Sequence, residues 1–320
     1  MAKDFLPQLD RDPGFDLNRL RTAARWFALG YFKKAVIADN ISPVVDVIYA
    51  NPSAYGAAEH WFAAFGFYMQ IYGDFSGYTD MAWGSALALG FELPENFRMP
   101  FWSHSFTEFW QRWHMSLLKW IRDYVYIPLG GNRVSPFRHK FNIFFTMFVS
   151  GLWHGANWTY VSWGVLHGVL LALESSLKRR ERGPDGGEVT DGTRSTATGL
   201  RILAAHFHNY AMPVLILILG AYFTTIFRSR NMEDSLLILT RMACLDDFPS
   251  RMPSLSLYRP VLLGTMTVLI GHILGKMILE KKRWRIDPPV LLEIALIPFL
   301  ILLFTQIAAT DVEAFIYFVF

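Results

Sequence analysis

The chain has 320 residues, with 30 Lys and Arg against 27 Asp and Glu, and it is 52% hydrophobic, 16% aromatic and only 18% charged. Average globular chains run about 25% charged; the deficit, joined to 27 Phe, 13 Tyr and 11 Trp, excludes an ordinary soluble domain or a disordered chain and favours an all-α polytopic membrane protein. A net charge of +3 spread over this length excludes a nucleic-acid partner, which needs Lys and Arg gathered on one face, and the single cysteine, Cys244, excludes an intramolecular disulfide.

Residues 1–20 are polar, contain proline and lack the apolar core of a signal peptide. Membrane insertion is therefore expected from internal segments, and the chain reads as one that starts in the middle of a longer protein. A helix crossing the hydrocarbon needs roughly 20 mostly apolar residues. Residues 60–73 and 81–91 are shorter and glycine-rich, so they are expected to be re-entrant, interfacial or core helices. Between them, residues 68–82 carry Asp74, Ser76, Tyr78, Thr79 and Asp80. Two acids at that depth could bind a cation or pair with Arg or His. Ser76 is a poor nucleophile candidate, because Gly73-Asp-Phe-Ser-Gly77 has Gly-x-x-Ser-Gly spacing in place of the Gly-x-Ser-x-Gly elbow.

Residues 93–122 mix aromatics and charges. Ser105-Phe106-Thr107-Glu108 fits a capping box. Beyond it Phe106, Phe109, Trp110, Trp113, Leu117 and Trp120 recur at helical spacing, with Glu108, Arg112, Lys119 and Arg122 on the other side. The pattern predicts one amphipathic, Trp-rich helix at the membrane interface. His114 lies one step from the apolar stripe, and on chemistry alone it reads as a partly buried histidine bonded to a neighbouring carbonyl. The Pro128-Leu-Gly-Gly-Asn132 stretch forbids continued helix. Without a Walker lysine it reads as a turn before a phosphate cradle.

Residues 141–173 are free of charge and, as one helix, would be about 50 Å long, too long for a single span. They are expected to fold back at Gly155-Ala156-Asn157. His154, 14 residues beyond Lys140, would lie about 20 Å deep along that helix. An ionisable residue inside a membrane segment is a functional-site hypothesis by default; the alternative is a structural histidine bonded across helices. Asn157 could orient the imidazole, and Trp153 or Trp158 could wall the site. His167 is read as packing before catalysis. No His-Glu-x-x-His occurs, and His114, His154 and His167 are too scattered to read as zinc ligands, so no metal is expected.

Residues 183–198 are low-complexity and predict a flexible linker. Further spans are expected at residues 202–227, 261–275 with Ile278 and Leu279, and 294–310. Arg133, Arg138 and Lys140, then Lys178, Arg179, Arg180 and Arg182, then Lys281, Lys282, Arg283 and Arg285 fall on one side by crossing parity. Cytoplasmic loops are enriched in Lys and Arg, which puts these loops in the cytoplasm and residues 228–259 outside.

Phe5-Leu-Pro-Gln-Leu9, Gln70-Ile-Tyr-Gly-Asp-Phe-Ser-Gly-Tyr-Thr-Asp80, Phe109-Trp-Gln-Arg-Trp-His-Met-Ser-Leu117, Tyr126-Ile-Pro-Leu-Gly-Gly-Asn132 and Leu152-Trp-His-Gly-Ala-Asn-Trp158 together resemble the membrane-bound O-acyltransferase (MBOAT) family. More closely they resemble its bacterial branch of alginate O-acetyltransferase membrane subunits and teichoic-acid D-alanylation membrane proteins. The resemblance covers residues 4–174 well and the remainder only as hydrophobic pattern. It implies a multi-pass protein of the cell (inner) membrane, with re-entrant or interfacial helices around a central tunnel: a motif-bearing core at 1–174, a polar linker at 175–200, and C-terminal transmembrane helices of the same domain at 201–320.

The activity implied is acetyl transfer from acetyl-CoA, a donor substrate entering from the cytoplasm, with no bound cofactor. The acceptor would be a hydroxyl of an extracellular polysaccharide or an extracellular or periplasmic SGNH-type partner that passes acetyl on. The family's principal histidine maps onto His154 as general base, and the second histidine of the branch onto His114; Asn157, Trp153, Trp158 and Asp74 are the residues expected to bind substrate. Members of the branch carry several spans before the Phe-Leu-Pro-Gln-Leu motif, which here stands at residue 5; that points to a fragment, a misplaced gene start or a truncated homologue. The rival classes are a non-catalytic membrane scaffold or transporter with buried histidines, and an intramembrane hydrolase.

Overall fold

A computed structural model describes residues 5–181, 198–245, 255–281 and 307–308. Among these the regular structure is entirely helical. The expected span at 294–310, the linker at 183–198 and the basic loop at 281–285 lie almost wholly outside the described residues. The chain separates into two compact units, Met1–Asn96 with Thr240–Phe320, and Phe97–Leu239.

In the first unit, helix α1 (Leu17–Tyr31) starts on Asp16, whose carboxylate accepts from the Asn18 backbone N–H. It runs through a wide π turn at Phe32–Ala38 into α2 (Asp39–Ala50). This long run packs against α3 (Ala57–Ala88). The two backbones nearly touch: a Cβ at Gly77 would lie 2.7 Å from the Gly30 carbonyl and 2.9 Å from the Lys34 backbone nitrogen. The short apolar segments 60–73 and 81–91 are thus parts of α3 and its C-terminal exit, joined by the polar 68–82 stretch, whose residues continue the helix.

That continuity is possible because the charges at the seam are matched. Lys33 Nζ lies 2.6 Å from Asp80 Oδ2, and Lys34 Nζ lies 2.7 Å from Asp39 Oδ1 and 2.6 Å from Asp74 Oδ1. Close beside them, Gln70 Nε2 donates to Ser42 Oγ, which donates to Asp46. A π turn holds one residue more per turn than an α-helix and tends to occur where a side chain must be re-aimed; here it accompanies the inward placement of both lysines. Asp74 therefore pairs with a lysine, where the sequence suggests a free cation, an arginine or a histidine. Helix α10 (Leu255–Lys281) packs in the same unit, with Tyr258 against Phe62 and His272 against Tyr72.

In the second unit, residues 106–121 form two short helices, α4 (Phe106–Arg112) and α5 (Met115–Ile121), where the periodicity predicts one. At the break Trp113 is extended and His114 takes the left-handed conformation, φ 44°. Tertiary contacts override the local pattern here. The Arg98 backbone N–H donates to the Arg112 carbonyl, and Trp113 is buried against Phe97, Phe101 and Phe109. The cap is close to the predicted box: Ser105 Oγ accepts from Glu108 N–H, while the Glu108 carboxylate reaches one residue further back, to His104 N–H at 2.7 Å.

After a second π turn (Arg122–Tyr126) and a glycine turn, α6 (Pro136–Trp153) and α7 (Trp158–Glu181) form a helical hairpin. This is the fold-back expected of residues 141–173, and α7 continues past Glu174 to Glu181. Glycine is required at its seam, since a Cβ at Gly164 would lie 2.6 Å from the Met147 carbonyl and one at Gly151 would strike the Tyr160 carbonyl. Buried Asn142 on α6 donates to the Leu129 and Gly131 carbonyls and so fixes the glycine turn. The N–H groups of Gly130, Gly131 and Arg133 bond carbonyls within that turn, which leaves none of these three to cradle a phosphate.

Helix α8 (Thr198–Arg228) covers the expected 202–227 span, and α9 (Met232–Cys244) lies within the connector after it. Among the described residues one helix, Asn209–Arg228, is long and apolar enough to cross a membrane by length and composition. Helix α3 carries Asp74 and Asp80, whose charges are matched by ion pairs inside the unit.

Candidate active site

His114 and His154 both belong to the second unit and meet there. His154 is the C-cap of α6, at the hairpin turn, where Gly155 takes φ +148°. Trp153 links the histidines: its ring centroid lies 5.0 Å from His154 at 80° and 6.1 Å from His114 at 67°. Both imidazoles are about 9% exposed. His114 holds its position at a cost, because the left-handed region is uncommon for any residue but glycine and costs of order 1–3 kcal/mol. Such strain persists only where surrounding contacts fix it, and it clusters at functional sites.

The walls of the site are partly those expected. Trp153 packs on both imidazoles and is half exposed. Trp158 is 74% exposed and is not a wall of the imidazole cluster. Asn157 acts on the backbone: its Oδ1 accepts from Thr159 N–H at the start of α7, and its Nδ2 donates to the Arg230 carbonyl at 3.2 Å. It thereby fixes the hairpin turn that carries His154. Asp74 is in the first unit, in the lysine network.

Sequence reasoning misses three rings packed on His154: Phe227 at 4.9 Å, Trp163 at 5.6 Å and Tyr160 at 6.4 Å. A signal for two of them is present. Tyr160, Trp163, His167 and Glu174 recur at i, i+3, i+7 and i+14 along α7, the spacing of one helix face, and that face carries polar groups inward. Trp163 also packs on His167 at 4.8 Å, and His167 is enclosed by Trp110, Phe106 and Phe223. Further along, Glu174 accepts from Thr107 N–H at 3.1 Å and so holds the N-terminus of α4 against α7.

On α4, burial raises the affinity of the Glu108 carboxyl for a proton, but the His104 N–H and the Arg112 guanidinium, 2.6 Å away, outweigh this and hold it below the ordinary range.

Two buried imidazoles thus share one aromatic wall in the second unit, one on a strained backbone and one at a helix terminus. Residues 2–184 match the model of the MBOAT, membrane-bound O-acyltransferase family, more than half of the chain, and the chain belongs to that family. Among its relatives, the protein named probable alginate O-acetylase AlgI of Azotobacter vinelandii is 46% identical over 164 residues, 51% of this chain and 32% of the relative. The peptidoglycan O-acetyltransferase of Helicobacter pylori is 38% identical over 49% of this chain and 30% of its own. The teichoic acid D-alanyltransferase of Streptococcus thermophilus is 33% identical over 52% of this chain and 43% of its own. The chain thus spans about a third of the length of the alginate and peptidoglycan relatives it matches.

Proposed function

We propose that the chain carries the catalytic residues of a multi-pass inner-membrane O-acetyltransferase, which moves an acetyl group from acetyl-CoA to a hydroxyl of an extracellular polysaccharide or of an SGNH-type partner. The observation that carries this reading is the meeting of His114 and His154 across Trp153. The family and the polymer-modifying relatives agree with it. In this reading the helices enclose a central tunnel whose cytoplasmic mouth lies toward Arg133 and the basic start of α6.

The neutral His154 imidazole takes the acceptor's hydroxyl proton as its oxygen attacks the thioester carbonyl, a contribution typically of 10²–10⁴-fold. The tetrahedral oxyanion is stabilised by a positioned donor, the role we give to His114. When the C–S bond breaks, the protonated His154 returns its proton to the departing thiolate, leaving an ester and free thiol. Trp153 orients both rings, Asn157 fixes the turn beneath them, and the exposed Trp158 is available to the acceptor. Asp74 contributes by holding α3 against the lysine-bearing turn.

The test uses the full-length protein in native membranes. His154→Ala is expected to abolish acetylation of the polymer or partner with protein level and melting temperature unchanged; retained acetylation would remove His154 from the mechanism. Release of free acetate without any acceptor modification would replace the transferase reading with a hydrolase.

A further inference from the structure

Trp110 and His167 lie next to the proposed catalytic pair and take no part in the steps above. Their rings are perpendicular with centroids 5.3 Å apart, and they are only 7% and 4% exposed. Trp110 Nε1 and His167 Nδ1 are both fully shielded and have no hydrogen-bond partner among the described residues. A perpendicular ring contact offers at most a weak N–H···π interaction, whereas a buried polar group left unpaired is costly. Two such groups on adjacent rings point to a ligand that would pair both.

The chemistry of the pair is selective. An indole N–H can only donate, while a neutral imidazole nitrogen can accept. A secondary amide, with one carbonyl and one N–H, matches that set. The surrounding Phe106, Trp163 and Phe223 rings suit methylene groups on either side of such an amide. Trp163 separates this pair from the His154 imidazole by a single indole ring. In a pantetheinyl thioester, two methylenes separate the sulfur from the first amide nitrogen. A thioester presented to His154 would therefore bring that amide toward the Trp110–His167 pair.

We propose that Trp110 and His167 form a subsite for the amide of a pantetheinyl thioester, Trp110 Nε1–H donating to the amide carbonyl and His167 Nδ1 accepting from the amide N–H. The inference rests on the acyl-transfer reading above and adds to it the group that recognises the donor's arm. Free coenzyme A and a carrier protein bearing phosphopantetheine share this amide. Turnover of acetyl-CoA names the first as the source, and turnover of an acetylated carrier alone names the second.

The experiment compares two small acetyl donors on the full-length protein, acetyl-N-acetylcysteamine, which keeps the first amide, and S-butyl thioacetate, which lacks it. Wild type is expected to prefer the amide donor by at least about tenfold in kcat/KM, the scale of one good hydrogen bond. In Trp110→Phe, which keeps a ring and removes the donor, that ratio is expected to fall about tenfold, chiefly through KM. His167→Phe, which keeps a ring and removes the acceptor, is read in the same way and stands in if Trp110→Phe does not accumulate. The ratio is taken within each variant, so the amount of folded protein cancels. An unchanged ratio in the variants, whatever their overall rate, assigns both residues to packing and overturns the subsite. Equal use of the two donors by wild type overturns it without any variant, and leaves the acyl-transfer reading intact if acetyl-CoA is still turned over. Failure of wild type to turn over any acetyl thioester overturns that reading and the subsite with it.

Discussion

Two buried polar clusters, one in each unit, are built on opposite plans. In the first unit, Lys33 and Lys34 meet Asp39, Asp74 and Asp80 at 2.6–2.7 Å, and the helices approach until glycine is needed at the seam. In the second, three histidines are enclosed by aromatic rings, one on a strained backbone, and the neighbouring pair Trp110 and His167 carries polar atoms without partners among the described residues. Charges that find their opposites inside the chain hold helices together. Neutral rings whose polar atoms are left over by the packing are ready for something that arrives from outside.

That contrast can be broken by substitution. Lys34→Ala leaves Asp39 and Asp74 as buried carboxylates without their cation, and removing one side of a buried pair typically costs about 3–5 kcal/mol. A large fall in the melting temperature of the full-length protein is expected, with much of it recovered when Asp39→Asn and Asp74→Asn are added; no fall would show that the network bears little load. In the other cluster the expected damage is to chemistry. His114→Gly fits the left-handed backbone without strain, and the relief is opposed by glycine's added chain entropy, so stability should stay within about 1 kcal/mol. Acetyl transfer should fall by about 10²–10³, the usual effect of losing one oxyanion donor; an active His114→Gly would end that role. The smallest effect is expected at the cap of α4, where Ser105→Ala should cost about 1 kcal/mol in a thermal-unfolding comparison. Glu108 of the same cap is held below its unfolded value. Its contribution is therefore complete above the ordinary carboxylate pKa and is lost as pH falls through the folded value, so Glu108→Gln should flatten the acid limb of the stability profile.

The legible parts of the sequence are those with a local cause. Gly155-Ala-Asn157 marks the hairpin turn, because a charge-free run too long for one span must bend and those residues bend easily. Ser105 and Glu108 mark a helix start by their three-residue spacing. The break at His114 is illegible, since the apolar stripe from Phe106 to Trp120 runs through it unperturbed; only the distant Arg98 N–H and Phe97 ring show why the helix stops. Trp163 and Phe227 are hidden among many aromatics. The role of Asp74 is hidden differently, because Lys33 and Lys34 lie some 40 residues earlier and nothing in the local pattern joins them. The same pairing explains why one described helix stands out as a span by composition: a helix that carries its ions inward, as α3 does, scores as polar even when those ions never meet solvent.

The wide turn at Phe32–Ala38 makes the first unit sensitive to reading-frame-preserving insertions and deletions in an uneven way. Loss of one residue there can be absorbed locally by tightening the π turn into ordinary helix, so the chain would still fold into a rod of nearly the same length. α1 would then keep its rotational phase relative to α2, because the extra residue of a π turn is what the tightening removes. Loss of a residue within α1 before Gly30 has no such reserve and turns everything before it by one helical step, about 100°. A single-codon deletion within the turn should therefore be tolerated better than one upstream, where the register of α1 on α3 is set by Gly30 against Gly77.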